Sequence, residues 1–180
     1  MGVPSIHKEE AKRVLLRDIR VAIITVSTSR HRKLITEGIR DDPSGDIAEK
    51  IVRENGYNVG YRCIIPDKNK SIMEALDRAI DKECSIIIFI GGTGITKTDV
   101  TPDTLDKIFE KKIMGFGELF RFLSYKEIGS SAFLSRATAG IHKNHIIFAI
   151  PGSPNAVKRA LEKLILPEME HMVYLIQKEL

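Results

Sequence analysis

Two stretches of the chain are apolar almost without a break. Residues 19–26 read Ile-Arg-Val-Ala-Ile-Ile-Thr-Val and residues 85–90 read Ser-Ile-Ile-Ile-Phe-Ile. Successive side chains of a strand point to opposite faces. A run that is apolar at consecutive positions therefore predicts a strand covered on both sides. Residues 58–65, 136–141 and 145–150 extend the series, the last two joined by a hairpin at His142-Lys143-Asn144.

Between these runs the apolar positions follow a helical period. Ser44 has the chemistry of an N-cap, Asp46 suits a first turn, Ile47, Ile51 and Val52 form a stripe, and Gly56 ends the helix. Ser71 and Glu74 fit a capping box ahead of an inner face of Ile72, Met73, Leu76 and Ile80. Thr101 caps a helix with Pro102 at its first position. Residues 116–127 are amphipathic, with Leu119, Phe120 and Leu123 on one side. Ser153-Pro154 starts a helix running to Leu164, and Pro167 starts the last one. The segment after Val26, with Arg30-His31-Arg32-Lys33, reads as a polar loop: a solvated surface or a lid over phosphates.

Strands alternating with helices predict an α/β sandwich with a mostly parallel sheet. Ligands of such sheets bind beyond the carboxyl ends of the strands. Three loops then matter: after Val26, beginning at Ser27, after Ile90 and after Ile150.

Composition narrows the function classes. The 180 residues are 43% apolar and 29% charged, which suits one soluble globular domain over residues 19–180 with an extension over 1–18. No run reaches the roughly 20 apolar residues of a membrane span, and residues 1–18 lack the apolar centre of a secretion signal. Cys63 and Cys84 have no metal-ligand spacing and read as small buried hydrophobes of a reducing cytoplasm. The net charge of +4 suits an anionic ligand. Basic residues interspersed with acids, rather than striped with aromatics, argue against nucleic acid.

Five segments can carry chemistry. Gly91-Gly92-Thr93-Gly94 follows the most apolar strand, and its N–H groups can form an anion nest, although a tight turn alone would also explain it. Asp99 lies five residues beyond, on a loop able to curl back. A carboxylate facing phosphates is repelled unless a cation such as Mg²⁺ lies between them. Pro66-Asp67 ends the second strand, so Asp67 and Asp99 can converge on one cation, or Asp67 can simply open a turn. Pro151-Gly152-Ser153-Pro154 repeats the strand–glycine–helix pattern, with Ser153 as cap or phosphate donor. Gly115-Phe116-Gly117-Glu118 can edge a flat pocket, with Glu118 facing a heterocycle or merely complementing a helix dipole. Zinc-protease, serine-hydrolase and zinc-finger motifs are absent.

The order of the motifs is more specific than any one of them. The series is Asp41-Asp42-Pro43-Ser44-Gly45-Asp46, Pro66-Asp67, Gly91-Gly92-Thr93-Gly94, Asp99-Val100-Thr101-Pro102, Gly115-Phe116-Gly117-Glu118-Leu119-Phe120-Arg121, Ser135-Arg136-Ala137 and Pro151-Gly152-Ser153-Pro154. It resembles the MogA/MoaB family of molybdenum-cofactor biosynthesis, shared by the G domain of gephyrin-like proteins, over about residues 19–170. Leu123-Ser124-Tyr125-Lys126-Glu127-Ile128-Gly129 looks closest to the MoaB branch. The resemblance implies a three-layer αβα sandwich of the molybdopterin-binding-domain type, assembled as a trimer or hexamer. It implies transfer of AMP from Mg-ATP to the terminal phosphate of molybdopterin, with hand-off to a metal-insertion protein. Asp67 and Asp99 match the two aspartates required for adenylylation and would hold Mg²⁺. Gly91, Gly92, Thr93 and Gly94 would hold nucleotide phosphates. Ser27, Ser44, Glu118, Pro151, Gly152 and Ser153 complete the expected binding set. Some MoaB-branch members lack the first aspartate; this sequence has both, which favours activity over the alternative of a non-catalytic molybdopterin-binding protein. Pro43 ahead of Ser44-Gly45 departs from the family pattern and stiffens that loop.

Overall fold

The computed structural model describes residues 19–177, so the 1–18 extension lies outside the described residues. A six-stranded sheet forms the middle layer. Its strands are β1 (Arg20–Val26), β2 (Asn58–Ile65), β3 (Ile86–Ile90), β4 (Lys111–Lys112), β5 (Thr138–His142) and β6 (His145–Ile150). They lie in the order β2-β1-β3-β6-β5-β4. β2, β1, β3 and β6 are mutually parallel, and β5 runs antiparallel to both its neighbours.

The helices are α1 (Thr28–Glu37), α2 (Pro43–Glu54), α3 (Asn69–Asp81), α4 (Thr101–Leu105), α5 (Met114–Ile128), α6 (Pro154–Ala160) and α7 (Met169–Gln177). Val21 and Ile23 of β1 join Ile86, Ile88 and Ile90 of β3 in a core with α2, α5, α6 and α7. Ala22, Ile24, Ile87 and Phe89 point the other way, onto α3 and α4. All five β3 residues are buried, as the unbroken apolar run predicts. The αβα sandwich is therefore observed. Both cysteines are unpaired, and burial pushes the Cys84 thiol up to about 11 and raises that of Cys63, which suits inert packing.

Several boundaries differ from the sequence pattern. The basic segment after Val26 is helix α1, not a loop: Ser27 caps it and Gly38 closes it in the left-handed conformation. No residue of α1 is buried, so it has no apolar stripe to announce it. The cap of α2 is Asp42, not Ser44; its carboxylate accepts from Gly45 N–H, and Pro43 occupies the first helical position rather than stiffening a loop. α3 starts at Asn69 without a side-chain cap, so Ser71 and Glu74 form no capping box. Thr101 is the first residue of α4, and Val100 stands at its cap. In α5, Phe116, Phe120 and Ser124 face inward, whereas Leu119 is 54% exposed on the opposite side. β5 begins at Thr138, and the two-residue β4 carries no sequence signal. The final helices form a continuous run, with a π segment at Leu161–Ile165 and Pro167 in a short 3₁₀ turn.

One buried ionic cluster fixes α2 to the sheet. The Arg62 guanidinium donates to Asp42 at 2.9 Å, to Asp46 at 2.6 Å and to Glu49. The Asp42 side chain is fully buried and also accepts from the Thr25 hydroxyl at 2.9 Å. Burial opposes the charge on Arg62, but the three carboxylates more than offset it and raise its pKa. Glu49 is held below its ordinary value mainly by its hydrogen bond from Arg62, against the opposing effect of burial.

Arg62→Met leaves Asp42 buried without its counter-charge, so the unfolding free energy should fall by roughly 3 kcal/mol. Urea denaturation reads this directly, and a loss well under about 1 kcal/mol would class the cluster with exposed pairs. Glu49 binds its proton more weakly in the folded state. Its contribution is therefore present above the ordinary carboxylate pKa and lost as pH falls through the lowered one. The stability gap between wild type and Arg62→Met should narrow on acidification.

Candidate active site

β1 lies between β2 and β3, so the chain leaves β1 to one side and returns on the other. This change of direction opens a crevice beyond the carboxyl ends of β1 and β3. Gly91 sits at its base. Its N–H donates to Ile150 O at 2.9 Å, which ties the end of β3 to the end of β6. Its Cα packs so closely on β1 that a Cβ would lie 2.3 Å from Val26 O, and its φ is +113°. Only glycine meets both conditions.

The carbonyls of the 91–94 turn are taken from behind. Thr101 N–H donates to Gly92 O, Arg136 N–H to Thr93 O, and Arg136 Nε to Gly94 O. Arg136 also donates through Nη2 to Asp99 O and through Nη1 to both oxygens of the Asp103 carboxylate at 2.8 Å. This one side chain clips together the glycine turn, the Asp99 loop and α4. With these acceptors engaged, the Gly92 and Thr93 N–H groups donate to no other described residue, and both residues line a cavity over the turn.

Asp67 and Asp99 flank this turn. One Asp67 oxygen accepts from Thr28 N–H at 2.7 Å and the Thr28 hydroxyl at 2.8 Å, and Asp67 N–H donates back to that hydroxyl. This pair clamps the start of α1 to the end of β2. The other Asp67 oxygen lies under Gly92, 3.2 Å from where a Cβ would stand. The Thr101 hydroxyl converges on the same spot, fully buried and without a hydrogen-bond partner. Asp99 accepts from Thr96 N–H at 2.9 Å and the Thr96 hydroxyl at 2.5 Å, and its carboxylate packs on the Gly94 Cα. Burial alone would raise its pKa, but bonds from Thr96 and the Gly94 backbone pull it below the ordinary value. Among the described residues no three His, Cys, Asp or Glu side chains form a metal cage. The donor set fits a hard cation that takes one or two carboxylates and fills its shell with water and phosphate.

A cavity of about 720 Å³ opens over the turn. Its polar lining includes Ser27, Arg30, the glycine turn, Asp99 and Ser153. Its apolar lining includes Phe120, Ile128, Ala132 and Leu134. Arg159, also in the lining, is paired with Glu127 and donates to the Ser124 hydroxyl at 3.1 Å. A second depression of about 550 Å³ lies at the opposite end of the sheet, near Arg20, Glu83 and His145. There the His145 imidazole is already bonded to Cys84 O and Arg20 to Glu83, so the crevice at the strand ends has the better chemistry.

The expected residues divide as follows. Ser27, Gly91, Gly92, Thr93, Gly94, Asp99, Pro151, Gly152 and Ser153 line the cavity together, and Asp67 stands behind the turn. Ser153 caps α6, accepting from Ala156 N–H at 3.3 Å. Ser44 lies outside the lining and donates to Gly152 O at 2.6 Å, so it supports that loop from α2. Glu118 is exposed on α5 and is not among the lining residues. Sequence reasoning gave no site role to Thr28 or the Arg159–Glu127 pair, took Thr101 only as a helix cap, and met Arg136 only within the motif series. Their partners lie as far as 39 positions away, beyond any local pattern.

Comparison with known proteins agrees with this geometry. A family profile described as a probable molybdopterin binding domain matches residues 22–171. A probable molybdopterin adenylyltransferase of Methanocaldococcus jannaschii is 45% identical over 161 residues, covering 88% of this chain and 94% of that protein. Molybdenum cofactor biosynthesis protein B of Bacillus cereus is 38% identical, covering 96% and 97%. The crystal structure of the tungsten cofactor synthesizing protein MoaB from Pyrococcus furiosus superposes with a TM-score of 0.79 at 34% identity, covering 89% of this chain and 98% of that one. With its strand-end glycine nest, flanking aspartates and matched length, the chain belongs to the MogA/MoaB family of molybdenum-cofactor biosynthesis proteins.

Proposed function

We propose that this chain is a molybdopterin adenylyltransferase, which joins AMP from ATP to the terminal phosphate of molybdopterin and releases pyrophosphate. The observation that carries the reading is a glycine turn with unclaimed Gly92 and Thr93 N–H groups and two carboxylates, Asp67 and Asp99, packed against it. A nest with acids at its rim suits a phosphate chain that arrives with a cation. The relative from Methanocaldococcus jannaschii carries the same activity in its name.

The pterin phosphate is an anion, so it needs no base to attack. Its oxygen forms a bond to the α-phosphorus of ATP while the bond to the bridging oxygen of pyrophosphate breaks. The barrier is the approach of two anions in line, which positioning and fixed positive potential lower. Mg²⁺, held by Asp67 and Asp99 with the substrate phosphates, would neutralise charge on the phosphate chain. The Gly92 and Thr93 N–H groups orient that chain, and the apolar wall at Phe120 and Leu134 takes a flat ring.

Asp99→Asn keeps an oxygen for the Thr96 bonds but removes the charge. Pyrophosphate release should fall a hundredfold or more, roughly the scale of one catalytic electrostatic group. Molybdopterin binding, followed by fluorescence quenching, should stay within about twofold of wild type, since uniform binding is untouched. Full turnover in this variant would contradict the carboxylate role.

We also propose a homo-oligomer, a trimer or hexamer. Leu119, Phe122, Tyr125 and Ile128 recur every three residues along α5 and are 54%, 57%, 62% and 55% exposed. Exposed apolar side chains concentrated on one helix in this way are a liability on a monomer. Sedimentation of the wild type should give a multiple of the 20.2 kDa chain, and Phe122→Glu should shift it toward monomer. A monomeric wild type would contradict the proposal.

A further inference from the structure

Three arginines stand around the glycine turn, and two of them are committed to the protein. Arg136 is bound by Asp103 and two carbonyls, and Arg159 by Glu127 and Ser124. Arg30 differs. It lines the same cavity as Ser27 and the glycine turn, and no described carboxylate or carbonyl accepts from its guanidinium. Its Nε is shielded from solvent and has no hydrogen-bond partner. A buried donor without an acceptor costs about 1–3 kcal/mol, which a ligand oxygen would recover.

Its neighbours in sequence do not share this position. Arg32 is exposed, and Lys33 lies 3.8 Å from Asp41. The backbone that carries Arg30 is also fixed at its root. Ser27 accepts from Arg30 N–H at 3.4 Å, and Thr28 is clamped by Asp67. Arg30 therefore projects from an anchored helical turn rather than from a free loop.

We propose that Arg30 is a phosphate ligand of this site, completing with its guanidinium the anion nest made by the Gly92 and Thr93 amides. The proposal rests on the adenylyltransferase reading only for the source of the phosphate, which is either the nucleotide chain or the terminal phosphate of the pterin. An arginine fork matches two phosphate oxygens at once and keeps its charge at any working pH. It also balances the two aspartates across the turn. Asp67 gains a second task, since one oxygen holds the helical turn from which Arg30 extends while the other faces the glycine turn.

The test is calorimetric titration of the full chain with pyrophosphate and with Mg-ATP, and fluorescence titration with molybdopterin, on wild type, Arg30→Met and Arg30→Lys. Met keeps most of the stem and removes the unpartnered donor, and a melting temperature equal to or above that of wild type shows that the fold is intact. Pyrophosphate affinity should fall about 10–100-fold in Arg30→Met, the loss of a charge-assisted hydrogen bond, with Arg30→Lys between the two. A parallel loss for Mg-ATP alone assigns Arg30 to the nucleotide phosphates, and a loss for molybdopterin alone assigns it to the pterin phosphate. Equal binding of all three ligands by all three proteins overturns the proposal. A wild type that binds pyrophosphate through Arg30 but neither Mg-ATP nor molybdopterin supports the ligand role and removes the adenylyltransferase reading instead.

Discussion

The contact at Gly91 is the constraint on which the rest of the site depends. Three parallel strand ends meet there: Val26 O presses on its Cα, Ile150 O accepts its N–H, and β3 ends in it. No side chain fits, and the backbone turns through a positive φ that only glycine adopts freely. At that turn the Gly92 and Thr93 carbonyls accept from the Thr101 and Arg136 backbone and the Gly94 carbonyl from the Arg136 side chain. The anion nest proposed there follows from the crowding of the sheet rather than from any dedicated side chain. The apolar sheet above which it sits, covered on both faces, supplies the rigidity to hold it.

The charged residues around the turn each hold the fold at the place where the chemistry is proposed. Asp67 ties α1 to β2 with one oxygen, Asp99 closes its own loop through Thr96, and Arg136 joins both loops to α4. Substituting any of them disturbs position as well as charge, so loss of activity alone identifies none as catalytic. Conservative changes that keep the hydrogen bonds are the informative ones. The Arg62 cluster plays a related part at longer range. It seats the start of α2, from which Ser44 reaches the Gly152 carbonyl. A buried ion pair of this kind gains little net stability over apolar packing, and its value lies in fixing one arrangement.

Much of this was legible in the sequence. The double-sided apolar runs gave β1, β3 and β6, and the glycine turns after two of them marked the cavity floor. The motif order led to the family. What the sequence hid has physical causes. α1 buries nothing, so its helical period is invisible in hydropathy, and Arg30 looked like one charge in a surface cluster. Leu119 was placed on the inner side because α5 is apolar on two faces, one for the core and one left exposed. The cap of α2 lies two residues before Ser44, at Asp42, because Pro43 fixes where the helix can start more firmly than a neighbouring hydroxyl does. Glu118 was expected beside the ligand from its motif, yet it stands on the outer face of α5. Arg136 and the Arg159–Glu127 pair join residues more than 30 positions apart, and only the folded chain shows them.

The central claim is that the nest and its flanking carboxylates bring ATP and a pterin phosphate into reaction. The most direct measurement is pyrophosphate release by the full chain with Mg-ATP and freshly prepared molybdopterin, with the pterin product weighed by mass spectrometry. The account predicts release only when pterin is present, matched one for one by adenylylated pterin. Binding of molybdopterin by the folded protein without any release of pyrophosphate would contradict it.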